Sequence, residues 1–326
     1  MRALALMAES PSPILRQDTA QPVPGLGELL IRVCAAGVIP TELQWYPSTH
    51  TKGGAPREHA VPGHELSGIV EAVGPCVGSL EVGREVYGMN DWFSDGAMAD
   101  YCVAPFFAVA PKPSRLSHAE AASVPISALT AWQGLFDRAK LKAGETVLVH
   151  GGTGAVGMFV VQLARRHGAH VIATASRSNA DLALSLGAER VIDYHTSRFE
   201  DAVRDVDVVF DTVGGETLDR SWPVLNPNGR MITIVGEAAN LSDPRAKSAF
   251  FIVEPNQKQL FEIAELLDAG LIRTLVDSVV PFSEAPQVYA GNGKKHRGKV
   301  VVALTLDSLP ASRSRDLREA KRFGHH

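Results

Sequence analysis

The feature that most constrains this chain is a glycine-spaced segment, Gly152-Thr-Gly154-Ala-Val-Gly157, placed between a short apolar run and a longer one. The run before it, Thr146-Val-Leu-Val-His150, reads as a buried strand, and residues 155–167 after it read as a helix. His170-Val-Ile-Ala-Thr174 is then a second strand. In that order three spaced glycines have a physical use. Gly152 is expected to permit a tight turn, Gly154 to let a pyrophosphate approach the backbone, and Gly157 to let the helix pack close to the strand. The helix N-terminus would turn its free N–H groups and positive dipole end toward the phosphates. The loop Gly152, Thr153, Gly154, Ala155, Val156 and Gly157 is therefore expected to bind a dinucleotide.

The second strand decides which dinucleotide. A site for NAD carries Asp or Glu about 20 residues beyond the loop's start, to bind the ribose 2′-hydroxyl. Here the strand runs into Thr174-Ala-Ser176-Arg177-Ser-Asn179, with no acid before Asp181. Hydroxyls and one guanidinium suit a 2′-phosphate, so Ser176 and Arg177 predict NADP(H).

Strands continue at Arg190–Asp193, 206–210 and 230–235, alternating with helical stretches, which predicts a doubly wound parallel sheet. Before this region the chain is rich in Gly and Pro, with short β-prone runs at 28–33 and 68–73, and reads as a β-rich module. Ser117 and Glu120 form a capping box where the texture changes. After a helix at 257–269, β-prone runs at 275–280 and 299–304 are expected to return to the first module. The expected division is 1–118, 119–256 for the dinucleotide domain, 257–307 for the return, and a basic, flexible tail at 308–326.

Composition excludes several classes. Thirty-two Lys and Arg stand against 36 Asp and Glu, a net charge of −4 that argues against nucleic-acid binding. No apolar run approaches the roughly 18 residues of a membrane span, and the N-terminal run is too short for a signal peptide. Cys34, Cys76 and Cys102 are widely separated and form no CxxC pair. That is neither a disulfide framework nor a zinc ribbon, so a cytoplasmic protein is expected.

Together, Gly63-His64-Glu65, Ser127-Ala-Leu-Thr-Ala-Trp132, the 150–157 loop, Asp211-Thr-Val-Gly-Gly215 and Arg297-Gly-Lys-Val-Val301 resemble the medium-chain dehydrogenase/reductases. Within them the chain is similar to the zinc-independent quinone oxidoreductases, over residues 2–305. The resemblance implies a GroES-like β-rich catalytic domain with an inserted Rossmann domain, an active site in the cleft between them, and a homodimer. It implies an NADPH-dependent reductase that passes hydride to a quinone or an α,β-unsaturated carbonyl compound. A zinc-type alcohol dehydrogenase and a non-catalytic NADPH-binding sensor stay open as alternatives.

The zinc-dependent branch of that family binds its metal through a Cys, a His and a second Cys or Asp. His64 matches the His, but the first Cys position falls on Ile39 and the second near Ile126, so no metal is expected. The resemblance makes Ile39, Tyr46, His64, Trp92 and Phe250 candidates for the substrate cleft. It also implies that Tyr194 lies near the adenosine, that the backbone at Phe251 and Val253 flanks the nicotinamide, and that Lys299 lies near the phosphates or the domain joint. No residue is singled out as a catalytic acid or base.

Overall fold

A computed structural model of the chain describes residues 1–7, 10–78, 80–236, 243–290 and 297–309. Two units divide it: one holds Met1–Ile126, Pro255–Leu271 and the chain from Leu275 on, the other Ser127–Glu254 and Ile272–Thr274. The second is thus inserted into the first, but its first edge lies at 126/127 rather than 118/119. The physical reason is the helix His118–Ala122, opened by the Ser117/Glu120 capping box. Its Ala119 and Ala122 pack on Ala35 and Val301 of the first unit, and His118 Nδ1 lies 2.8 Å from Ser67 Oγ. The tail expected at 308–326 falls almost wholly outside the described residues.

In the inserted unit five parallel strands lie in the order Arg190–Asp193, His170–Ala175, Thr146–His150, Val206–Asp211, Leu225–Thr233. The first strand in sequence is central, and the chain winds outward first to one side and then to the other. Such an order puts the switch point between Thr146–His150 and Val206–Asp211, at whose carboxyl ends ligands bind in open α/β sheets. Both strands are near-continuous apolar runs, with Val147, Leu148, Val149, Val208, Val209 and Phe210 fully buried, as a sheet covered on both faces requires. Helix Pro125–Trp132 passes into a π-helical segment, Gln133–Arg138. There Gly134 lies so close to the Phe210 ring that a Cβ would overlap it.

The first unit is built on a seven-stranded sheet. Its long central strand, Glu28–Gly37, pairs antiparallel with Glu65–Val73, Tyr101–Pro105 and the returning strand Lys299–Ala303. Leu4, Leu29, Ile31, Leu66 and Met98 fill its core. Helix Gln257–Asp268 docks here through the buried Tyr87 hydroxyl, which donates to the Leu260 carbonyl at 2.6 Å. No helix among the described residues is long and apolar enough to cross a membrane.

Candidate functional site

The glycine loop lies where the sheet order places a ligand. Its tight turn, however, is made by Gly151 at φ +71°, not by Gly152. Gly152 instead packs on the neighbouring strand, where a Cβ would stand 2.7 Å from that of Ala173. The helix begins at Gly157, two residues later than its apolar pattern suggests, and runs to Arg166. A Cβ on Gly157 would overlap the Gly151 carbonyl oxygen, so the close approach at that position is to the loop's own backbone. Gly154 faces more open space, where an added Cβ would meet only Gly151 O, at 3.3 Å.

Hydrogen bonds sort the loop amides into two sets. Gly151 N–H donates to Thr174 Oγ1 and Gly152 N–H to Thr174 O, which tie the loop's start to the second strand. Gly154 N–H donates to Gly151 O. The amides of Thr153, Ala155, Val156 and Gly157 meet no protein acceptor among the described residues, and Val156 supplies no side-chain cap. Unsatisfied N–H groups at a helix start are the donor set an anionic phosphate takes. The chain's residues therefore fit a dinucleotide at this loop.

His150, at the end of the central strand, stabilises the arrangement from beneath. Ser221 Oγ donates to Thr217 O at 2.6 Å, so toward His150 Nε2 at 2.9 Å it is the acceptor. The ring therefore carries its proton on Nε2, and Nδ1 accepts from Thr174 Oγ1 at 3.3 Å. Burial lowers the pKa of His150 to about 4 and keeps it neutral. Beside it, the buried Asp211 carboxylate accepts from Val213 N, Gly214 N and Thr233 Oγ1, joining the ends of two parallel strands. Neither His150 nor Asp211 was picked out from the sequence as a loop support. His150 was visible as the last residue of an apolar strand and the first of the 150–157 motif, and Asp211 as the start of another.

Ser176 and Arg177 sit just past strand His170–Ala175, Ser176 half-buried and Arg177 exposed. Ser176 Oγ is 3.1 Å from Ser178 Oγ. Arg177 makes no ion pair with any described residue, so its guanidinium is available to a ligand. Tyr194 is exposed beside the next strand's end, its ring 4.3 Å from that of His195. Phe251 and Val253 turn their side chains inward, with Arg138 stacked over the Phe251 ring, while Ile252 is exposed. Gln133 grips the end of this segment in both directions: its Nε2 donates to Glu254 O, and Glu254 N–H donates to its Oε1. Phe250 bridges to Thr233 at the sheet edge.

The other candidates lie in the first unit. Ile39 is half-buried and starts a 3₁₀ turn at Pro40–Gln44, whose Glu42 is fully buried. Glu42 Oε2 accepts from Gly63 N–H at 3.1 Å and faces His64 Nδ1 at 2.9 Å, while Oε1 accepts from the Tyr289 hydroxyl at 2.5 Å. His64, 1% exposed, places its other ring nitrogen 3.1 Å from the Trp92 carbonyl. The Trp92 ring lies against His64 and edge-on to Trp45. Tyr46, half exposed, stacks on His50. Glu42 and Tyr289 were missed from the sequence. A signal for Glu42 was present, since it stands three residues after Ile39, the position of the first metal-ligating Cys in the zinc-dependent branch. Tyr289 had none.

Lys299, expected near the phosphates or the domain joint, is buried in the first unit and its ammonium is paired with the buried Glu65 carboxylate. Burial pushes the Glu65 carboxyl up, and Lys299 pulls it back. Ile126 N–H donates to the other Glu65 oxygen at 3.1 Å. Cys34 and Cys102 are buried, and burial raises both thiols, Cys102 to about 12, so neither has thiolate character.

Zinc does not fit these residues. Among the described residues no three of His, Cys, Asp and Glu stand together as a metal-ligating set. His64 has both ring nitrogens engaged by protein partners, and Ile39 and Ile126 are apolar.

Comparison with known proteins agrees with the fold. Residues 25–114 match the alcohol dehydrogenase GroES-like domain, and 186–302 match a family described as zinc-binding dehydrogenase. A probable zinc-binding oxidoreductase, mitochondrial, of Arthroderma benhamiae is 36% identical over 312 residues, covering 88% of this chain and 92% of that one. The chain belongs to the medium-chain dehydrogenase/reductase superfamily, in its quinone oxidoreductase-like part. A 2-methylene-furan-3-one reductase of Solanum lycopersicum is 33% identical, covering 89% of this chain and 75% of that one. The quinone oxidoreductase structure from Coxiella burnetii superposes with a TM-score of 0.82 at 27% identity, covering 94% and 99%. As a member of this superfamily the protein is an oxidoreductase that uses a nicotinamide cofactor on a small molecule.

Proposed function

We propose that the protein is an NADPH-dependent, metal-independent reductase acting on quinones or α,β-unsaturated carbonyl compounds. The observation that carries this reading is His64. In the family it matches a zinc ligand, whereas here its two ring nitrogens face Glu42 and the Trp92 carbonyl. Without a Lewis acid, lowering the pKa of an alcohol is difficult, and reduction of an already electrophilic acceptor is favoured. The reduced nicotinamide, when bound, supplies a hydride to such an acceptor, whose negative charge moves onto oxygen and is quenched by a proton from water. The chain's part is to seat cofactor and acceptor in register. The free amides of Thr153, Ala155, Val156 and Gly157 hold the pyrophosphate, and Ser176 with Arg177 holds the 2′-phosphate. The names of a furanone reductase and a quinone oxidoreductase among its relatives support an activated-alkene or quinone acceptor. Three free, separated cysteines fit work in the reducing cytoplasm, and the family resemblance carries the homodimer.

The test is NADPH consumption by purified protein across quinones, enones, enals and simple ketones, with and without a chelator. Turnover of quinones or enones that survives chelation is expected. One tightly held zinc per chain with alcohol–ketone activity would establish the zinc-type reading instead. NADPH binding with no turnover on any acceptor would establish the sensor.

A further inference from the structure

Tyr289, Glu42, His64 and Trp92 form one continuous line of hydrogen bonds inside the first unit, drawn from helix Ala285–Ala290, the 3₁₀ turn Pro40–Gln44, the start of strand Glu65–Val73 and the 91–95 loop. Donor and acceptor roles along it are nearly determined. A carbonyl only accepts, so His64 Nε2 carries a proton and donates to Trp92 O. The Tyr289 hydroxyl donates to Glu42 Oε1, and Gly63 N–H donates to Glu42 Oε2. His64 Nδ1 then faces a carboxylate oxygen, and one further proton must lie between them, on the ring or on the carboxyl. Glu42 and His64 are 0% and 1% exposed, so the set is shielded from bulk solvent.

The line ends at an aromatic wall. Trp92 gives its carbonyl to His64 and also lays its indole 5.1 Å from the His64 ring and 5.5 Å from that of Trp45. The loop that follows Trp45 is fastened to the Trp92 loop by ion pairs, Lys52 with Asp91 and Arg57 with Asp95. Its exposed edge carries Tyr46 stacked on His50, and Lys52 lies over the Phe93 ring. A buried brace that reaches both the backbone and the ring of one tryptophan fixes where that ring stands.

We propose that Tyr289, Glu42 and His64 are positioning residues that hold Trp92, and with it the wall of Trp45 and Trp92 rings against which the acceptor is seated. The inference rests on the reductase reading for what the wall holds, but the brace itself can be read without turnover. Fixed rings present a flat, preorganised face, which favours a planar conjugated acceptor such as a quinone or an aryl enone over a flexible aliphatic enal.

The experiment uses full-length protein labelled with 5-fluorotryptophan, with the Trp92 resonance assigned by its loss in Trp92→Phe. Tyr289→Phe removes one hydroxyl and keeps the ring. Glu42→Gln keeps the shape but replaces one carboxylate oxygen with an amide group that donates instead of accepting. Both are expected to shift and broaden the Trp92 resonance while the Trp132 and Trp222 resonances stay in place. Both should raise KM for a planar acceptor by about tenfold, the worth of one hydrogen bond to a charged group, with kcat and the NADPH KM changed by less than about threefold. Imidazole nitrogen spectra should show His64 Nε2 protonated at neutral pH. An unmoved Trp92 resonance in both variants, or an unprotonated Nε2, would overturn the brace whatever the activity. A shifted resonance in an enzyme that reduces no acceptor would leave the brace standing and remove the reductase reading.

Discussion

The carbonyl oxygen of Gly151 stands where a β-carbon on Gly157 would have to go, so no side chain of any size fits there. The first residue of the turn and the first residue of the helix are thus packed backbone to backbone. Beside that contact the amides of Thr153, Ala155, Val156 and Gly157 are left without a protein acceptor among the described residues.

Gly157→Ala is therefore expected to damage both stability and cofactor binding. The new methyl must displace backbone, and overpacking of this kind costs about 1–3 kcal/mol. Gly154→Ala meets only the Gly151 oxygen at 3.3 Å and should leave the melting temperature nearly unchanged while weakening NADPH. Fluorescence titration and thermal melting of the two variants separate these effects. Equal loss of stability in both would show that the close approach at Gly157 has no structural weight.

Cofactor choice is tested at the end of the second strand. Replacing Ser176 with Asp and Arg177 with Ala should weaken NADPH by about ten- to a hundredfold, the value of a charge-assisted hydrogen bond to phosphate, and weaken NADH far less. An equal loss for both cofactors would place the 2′-phosphate elsewhere.

Lys299 and Glu65 make a buried pair, so removing one partner leaves the other uncompensated. Lys299→Met is expected to cost about 3–5 kcal/mol in urea denaturation, and adding Glu65→Gln should restore part of it. NADPH affinity measured on the folded fraction should not change. A specific loss of NADPH affinity with normal stability would return Lys299 to the cofactor site.

His150 gives the protein an acid-side weakness. Its pKa is about 4 in the fold against 6.5 as the ordinary value. The unfolded chain therefore binds the proton first, and the stability from the neutral ring is complete above pH 6.5 and lost as pH falls toward 4. The amount at stake is about 3 kcal/mol. Urea unfolding between pH 7 and 4 should show this slope in the native protein and a shallower one in His150→Gln. Identical slopes would assign the acid sensitivity to other groups.

Ile39 offers a direct test of the metal argument. Ile39→Cys restores a thiol at the expected ligand position, yet His64 remains engaged by Glu42 and Trp92. Metal analysis after incubation with zinc should find less than one tightly bound ion per chain. Stoichiometric zinc in this single variant would show that the His64 ring is free to turn.

Much of the inserted unit was legible before the structure. Strands Thr146–His150 and Arg190–Asp193 fall where their apolar runs lie, and His170–Ala175 ends one residue beyond its run. Buried parallel strands announce themselves by composition. The helix after the glycine loop begins later than its apolar pattern, because the loop backbone consumes residues 151–156. The first unit was harder to read, since its strands pair across long and irregular connections.

By itself the sequence determined the alternation of strands and helices and the glycine loop, which lie in residue types and the spacing of near neighbours and so can be read locally. That Ile39 and Ile126 stand where a metal-dependent relative needs ligands came from the resemblance to the family. Only the tertiary structure decided that Gly151 makes the turn, that Lys299 answers Glu65 across 234 positions, and that Tyr289 answers Glu42 across 247. A buried polar group must find a partner, but the residue types do not say which. That choice belongs to the topology, which brings the returning strand and the helix before it back against the first unit's sheet.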